Sequence, residues 1–187
     1  MKLRLIYISI LLISLSVCKS VKNTSVRAPG EQSPADNTVQ TINFREQTTW
    51  LLGYIDPAQL TRYPHSEWYT RGYEGYQADT ILTGKLSALL TPDLSITVVL
   101  GTWCPDSHRE VPRFMKIMKE IGFPPASMTF IGVDLDKRSP VGEFEKLDIQ
   151  RVPTFIFYKK NIEAGRIIEN PAASLEQDML NILTGKN

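Results

Sequence analysis

Over residues 93–187 the apolar positions recur with two distinct periods. The run ITVVL at 96–100 is continuous and largely β-branched, the mark of a strand covered on both faces. The segment REVPRFMKIMKEIG at 109–122 is amphipathic instead. Val111, Phe114, Met115, Met118 and Ile121 share one stripe, while Arg109, Arg113, Lys116 and Lys119 lie elsewhere, and Gly122 closes the helix. MTFIGVDLD at 128–136 predicts a second buried strand, ending in Asp134 and Asp136. SPVGEFEKLDI at 139–149 predicts a short helix with Ser139 as cap and Pro140 in its first position. TFIFYKKNIEAGRII at 154–168 predicts an antiparallel hairpin around a Lys-Lys-Asn turn. SLEQDMLNIL at 174–183 predicts a closing helix, with Ser174 and Gln177 placed as a capping box. The order β-α-β-α-β-β-α contains a β-α-β crossover followed by a hairpin. It gives an α/β domain with a mixed, four-stranded sheet and helices on both faces.

Upstream, residues 44–92 predict a helical extension with loops and offer no convincing strand. Phe44, Thr48, Leu51, Leu52 and Ile55 recur at helical spacing. Asp56-Pro57 reads as the N-cap and first turn of a short helix. YPHSEWYTRGYEGYQ at 63–77 reads as loop, with Trp68, Tyr69, Tyr73 and Tyr76 packed beneath it. Asp79 caps a further helix through Leu90, with Ile81, Leu82, Leu86, Leu89 and Leu90 on its apolar side, and Pro92 ends it.

The first twenty residues, MKLRLIYISILLISLSVCKS, stand apart from this pattern. Lys2 and Arg4 form a basic start, and residues 5–17 are an apolar run of signal-peptide length, short for a membrane span. The run ends in LSVC at 15–18, which resembles a bacterial lipobox, although Val17 stands where small residues are usual. The resemblance implies a lipid on Cys18 after cleavage; an ordinary cleaved signal peptide that carries a cysteine is the alternative. Residues 19–43 are rich in Ser, Thr, Asn, Pro and Gln without apolar periodicity, and so read as a flexible linker. The expected layout is a signal peptide at 1–18, a linker at 19–43 and one domain at 44–187, its core at 93–187. That layout suits export to the bacterial cell envelope, with a periplasmic domain held at the membrane by the several acyl chains of a lipoprotein.

Composition narrows the functional classes. The chain is 42% hydrophobic and 22% charged, with a formal net charge of +1, an ordinary balance for one globular domain. It has no Lys/Arg-rich block, so it offers no electrostatic footprint for nucleic acid. Two histidines, His65 and His108, and no close cysteine pair fall short of a zinc ligand set, and no metal or other cofactor is expected. Of the two cysteines, Cys18 lies in the signal segment; once it is lipidated or removed, Cys104 has no partner in its own chain even where disulfides form.

The surroundings of Cys104 carry a specific resemblance. A buried strand leads into Trp103-Cys104-Pro105, and Pro112 follows eight residues after the cysteine. This resembles the active-site turn of thioredoxins. RVPTFIFY at 151–158 resembles the Ile/Val-Pro-Thr segment of the same family, whose proline is cis and faces the cysteine. The resemblance covers about residues 93–185, and the signal segment suggests the envelope-anchored, TlpA-like branch. It implies a thioredoxin-like fold and a site built on Cys104, Ser107 and Pro153, shaped by Trp103, Pro105, Asp106, His108, Pro112 and Val152. Three departures stand against it. Ser107 occupies the place of the resolving cysteine, Val98 the place of a buried acid, and the first strand is missing. The peroxiredoxin pattern is absent, because Gly101 stands where its threonine belongs.

Chemistry at such a site needs a thiolate. A cysteine where strand hands over to helix meets unpaired N–H groups and the helix dipole, which favour negative charge by ~0.3–1 kcal/mol. Pro105 presets the first helical position. Ser107 is placed to aim its hydroxyl at the sulfur. Asp106 opposes a second negative charge, and a protonated His108 would offset it. A serine cannot attack a mixed disulfide, so the partners expected are a protein thiol or disulfide client and an external thiol reductant. Two readings stand side by side: a monothiol thiol–disulfide oxidoreductase, or a redox-inactive module that binds peptides or proteins and keeps Cys104 as a small apolar filler.

Overall fold

The computed structural model describes residues 43–186. The signal segment, Cys18 and the linker up to residue 42 lie outside the described residues, and the expectations of export and lipidation lie there with them. The domain runs β1 (Gly53–Tyr54), α1 (Ser66–Gly75), α2 (Thr80–Ser87), β2 (Leu94–Leu100), α3 (Pro105–Glu120), β3 (Met128–Gly132), β4 (Thr154–Lys159), β5 (Ile162–Ile168) and α4 (Leu175–Thr184).

The strands form one sheet in the order β1-β3-β2-β4-β5. β2 pairs parallel with β3, Ile96 opposite Met128 and Leu100 opposite Gly132. On its other side β2 pairs antiparallel with β4, and β4 antiparallel with β5. The β4–β5 turn places Lys160 and Asn161 at φ 54° and 61°. Positive φ at both central residues matches the right-handed twist of the flanking strands. A parallel pair joined through α3, then a hairpin that adds two antiparallel strands, with the cysteine turn facing a cis-proline, is a thioredoxin-like fold.

β2 lies at the centre because its alternate residues bury on opposite faces. Leu94, Ile96, Val98 and Leu100 enter a large cluster with Phe114, Ile117 and Met118 of α3, Phe155 and Phe157 of β4, and Leu175 and Met179 of α4. The Phe114 and Phe155 rings meet at 4.5 Å. Val99 enters a second cluster, on the other face, with Ile131, Val133, Phe144, Val152 and Cys104.

Four features differ from the sequence expectation. The sheet has a fifth strand: Gly53 and Tyr54 pair antiparallel with Gly132 and Ile131. Gly132 permits this approach, since a Cβ there would stand 2.0 Å from the Leu51 carbonyl oxygen. The helix suggested over 44–55 shrinks to a 3-10 turn at Gln47–Thr49, because Gly53 at φ +81° turns the chain into β1. The stretch read as loop at 63–77 contains the ten-residue α1, whose Trp68 and Tyr69 are buried against the core. Finally, the helices are not shared between the faces. All four α-helices contribute to the large cluster, and the opposite face is covered by a 3-10 turn at Phe144–Leu147 that Ser139 does not cap.

Several local expectations do appear. Asp56 caps the 3-10 helix Pro57–Thr61 through a reciprocal capping box, and Asp79 accepts from the amides of Ile81 and Leu82 at the start of α2. Ser174 accepts from the Gln177 amide at 3.1 Å, but the Gln177 side chain turns to Asn181 and leaves that capping box half made.

Candidate functional site

Cys104 is the N-cap of α3, with extended backbone at φ −89° and ψ 123°. Its amide donates to the Gly101 carbonyl at 2.9 Å, and its own carbonyl accepts from the His108 amide at 3.0 Å. Strand and helix therefore fix the residue from both sides. The Sγ lies 3.3 Å from the carbonyl oxygen of Val152, to which the thiol donates. The Val152–Pro153 peptide bond is cis. Thus Cys104, Val152 and Pro153 come together from chain segments 48 residues apart. Cys104 is only 6% exposed, so a partner sulfur has a narrow approach.

Trp103 stands beside this pair, its indole Nε1 donating to the Val133 carbonyl at 2.9 Å. Gly101 makes room for it: a Cβ there would lie 2.6 Å from the indole ring. Pro105 is exposed at the first position of α3. Pro112 is buried within α3 and packs against α1, where a Cβ on Gly72 would meet its Cγ at 2.5 Å.

Ser107 does not serve the sulfur. It is fully buried, and its Oγ accepts from the Gly101 amide at 3.3 Å. The hydroxyl thus ties the end of β2 to the first turn of α3, and no hydrogen bond joins it to Cys104. This corrects the expectation that it points at the thiol; the reason is the buried Gly101 N–H, which needs an acceptor.

His108 is also not the free cation that the sequence allowed. Its Nε2 lies 2.7 Å from the Thr102 carbonyl oxygen, which can only accept, so that nitrogen carries the proton. The ring stacks on Trp68 with centroids 4.4 Å apart, and Phe44 meets it edge-on at 5.0 Å. Burial pushes the His108 pKa below 6.5, and the bond to Thr102 only partly opposes this. Asp106 is balanced by another group: Arg109 pairs with it at 2.7 Å. The same guanidinium bonds the side chains of Glu110, at 2.6 Å, and Asn170. Asn170 follows the segment in which the Glu169 amide donates to the Pro153 carbonyl at 2.7 Å. Arg109 therefore joins the start of α3 to the cis-proline side of the site.

Thr102 escaped the sequence reading. It is fully buried, its Oγ1 accepts from the Leu51 amide at 3.1 Å, and the hydroxyl donates to the Thr49 carbonyl at 3.4 Å. Residues 49–51 are thereby fastened behind the cysteine turn. A threonine between glycine and tryptophan carries no periodic signal that would have singled it out. Among the described residues no cluster of His, Cys, Asp or Glu is suited to hold a metal ion. None of their helices is long and apolar enough to cross a membrane.

No protein-family model and no curated protein matches the chain. Among solved structures, a protein of unknown function from Pseudomonas aeruginosa superposes with a TM-score of 0.53 at 14% identity, over 72% of this chain and 94% of that one. Fasciola hepatica thioredoxin is similar at 24% identity and a TM-score of 0.35, over 56% of this chain and 90% of its own. A chain from a structure addressing thiol resolution in yeast mitochondrial 1-Cys peroxiredoxin gives 26% identity and a TM-score of 0.35, over 57% and 95% of the two chains. Likeness of this degree concerns the fold alone.

Proposed function

We propose that this domain performs single-cysteine thiol–disulfide exchange at Cys104, in the bacterial cell envelope. One observation carries the reading: Cys104 is the N-cap of α3, where unpaired helix amides favour a thiolate, and its sulfur meets the Val152–Pro153 segment. An apolar filler requires neither the N-cap position nor that partner.

In the proposed reaction the Cys104 thiolate attacks one sulfur of a client disulfide. A Cys104–client S–S bond forms, the client's own S–S bond breaks, and its second sulfur leaves as a thiolate that takes up a proton. Ser107 stands in place of a second cysteine and Cys104 is the one thiol among the described residues, so none of these residues reopens the mixed disulfide. The thiolate of an external reductant then attacks the client sulfur, restores the Cys104 thiolate and carries the client away as a new mixed disulfide. The Asp106–Arg109 pair keeps an uncompensated carboxylate away from the reacting sulfur.

The test is alkylation of the domain (residues 19–187) with iodoacetamide, folded and in denaturant. Exchange chemistry requires modification of the folded protein at Cys104. Modification only after denaturation would contradict it and favour the binding module, since Cys104 sits in an apolar cluster. The anchor at Cys18 is a separate proposal. Mass spectrometry of the mature protein should find a lipid-bearing N-terminal Cys18, and an unmodified N-terminus beyond it would end that idea.

A further inference from the structure

A cleft of about 380 Å³ lies between α1 and α3, with Tyr69, Tyr73 and Glu74 on one side and Met115 and Lys119 on the other. Tyr69 is only 8% exposed, yet its hydroxyl makes no hydrogen bond among the described residues. Unlike the sealed Nδ1 of His65 and Nε1 of Trp68, that hydroxyl is open to the cleft the residue lines. A tyrosine packed away to this degree ordinarily finds a partner for its polar tip, so a bare one facing a cleft points to a ligand atom. Burial, and secondarily Tyr73, push the Tyr69 pKa up to about 12, so the tip stays a donor at neutral pH. The charges around it do not cancel. Lys116 and Lys119 hold their ammonium groups 5.0 and 6.0 Å from the centre of the Tyr73 ring, and neither forms an ion pair among the described residues. Glu74 is the one carboxylate on the wall, and it too has no ion pair there.

We propose that this cleft binds a small monocarboxylate with an apolar body, its carboxylate held by the Tyr69 hydroxyl and the Lys119 ammonium. The head group follows from the charges. Two ammonium groups against one carboxylate leave a single positive charge to be met. A cationic ligand would meet both lysines at the Tyr73 ring on which it would have to stack. A neutral ligand would satisfy the hydroxyl and leave Lys119 uncompensated. The body follows from the walls: the Tyr73 ring and the Met115 thioether offer apolar, adaptable contact, and the volume suits a small molecule. Cys104 does not line the cleft, so this site stands apart from the exchange chemistry.

The test is NMR titration of the Met115 methyl resonance in the domain (residues 19–187) at neutral pH and constant ionic strength, with sodium hexanoate as probe. Acetate supplies the head group without the body, and hexanamide the body without the charge. Hexanoate should shift the Met115 resonance saturably, and acetate and hexanamide should each bind about tenfold more weakly or worse. Tyr69→Phe removes only an unpartnered hydroxyl, so that variant should melt as the parent does. Its affinity for hexanoate should nonetheless fall about tenfold or more, as expected for loss of a hydrogen bond to a charged group. Glu74→Gln should tighten binding severalfold by removing the opposing carboxylate. Cys104→Ser should leave binding unchanged, so the two sites fail or stand separately. A response to hexanoate that does not saturate, an unchanged affinity in Tyr69→Phe, or equal affinity for hexanamide would each overturn the assignment.

Discussion

Replacing Ser107 with alanine tests whether that hydroxyl holds the turn together or works on the sulfur. The Oγ accepts from the buried Gly101 amide at 3.3 Å, and the residue has no exposed surface. Alanine removes the acceptor and leaves the amide buried. An unsatisfied buried donor costs ~1–3 kcal/mol. The bond is long for N–H to O, so the lower part of that range applies, about 1–2 kcal/mol. For a domain of this size 1 kcal/mol corresponds to a Tm change of ~2–4 °C, which predicts a fall of roughly 2–8 °C. Urea unfolding followed by tryptophan fluorescence gives the free energy. Iodoacetamide kinetics on the folded variant give the sulfur's behaviour. The expected result is lower stability with the Cys104 alkylation rate within about twofold of the parent, since no hydrogen bond joins Ser107 to the thiol. Unchanged stability with a rate changed tenfold or more would refute the reasoning.

Three further outcomes follow from the packing and the buried charges. Gly72→Ala should lower stability by about 1–3 kcal/mol, because its Cβ would stand 2.5 Å from the stiff Pro112 ring. Gly75→Ala, with nothing within 4 Å of the new Cβ, should be neutral or stabilising; equal melts for the two variants would count against the α1–α3 contact. His65 and His108 are both held below 6.5 in the folded state by burial, so the unfolded chain binds more protons just below that pH. Their contribution is fully present above pH 6.5 and is lost as pH falls towards the folded values, with a slope of up to ~1.4 kcal/mol per pH unit for each histidine. Urea midpoints should therefore be flat from about pH 8 to 7 and drop between about pH 6.5 and 5; a flat line throughout would contradict the burial of both rings.

Much of the domain was legible because its signals are local. β2 announces itself as a β-branched run, the hairpin by Lys160 and Asn161 between two strands, and α3 by its stripe ending at Gly122. The Trp103-Cys104-Pro105 turn and the Val152-Pro153 pair are also local motifs, and the fold brings them within 3.3 Å at the sulfur. What stayed hidden depends on contacts distant in sequence. α1 is rich in aromatic residues and glycines, which lower helix propensity; packing of Trp68 and Tyr69 into the core and of Gly72 against Pro112 overrides that. β1 is two residues long and exists because Gly132 admits the backbone of residue 51. Spacing alone suggested that Ser107 would reach the sulfur three residues away. The unmet need of the Gly101 amide decided otherwise, and that need is invisible until the strand end is in place.

The central claim is that Cys104 exchanges disulfides and that the described residues hold no second thiol to resolve the product. Incubation of the folded domain with oxidised glutathione, followed by intact-mass measurement before and after added reduced glutathione, tests it most directly. The account predicts one glutathione per chain at Cys104, stable on dilution, released by the added thiol and absent in Cys104→Ser. A folded domain that gains no glutathione under these conditions would contradict it.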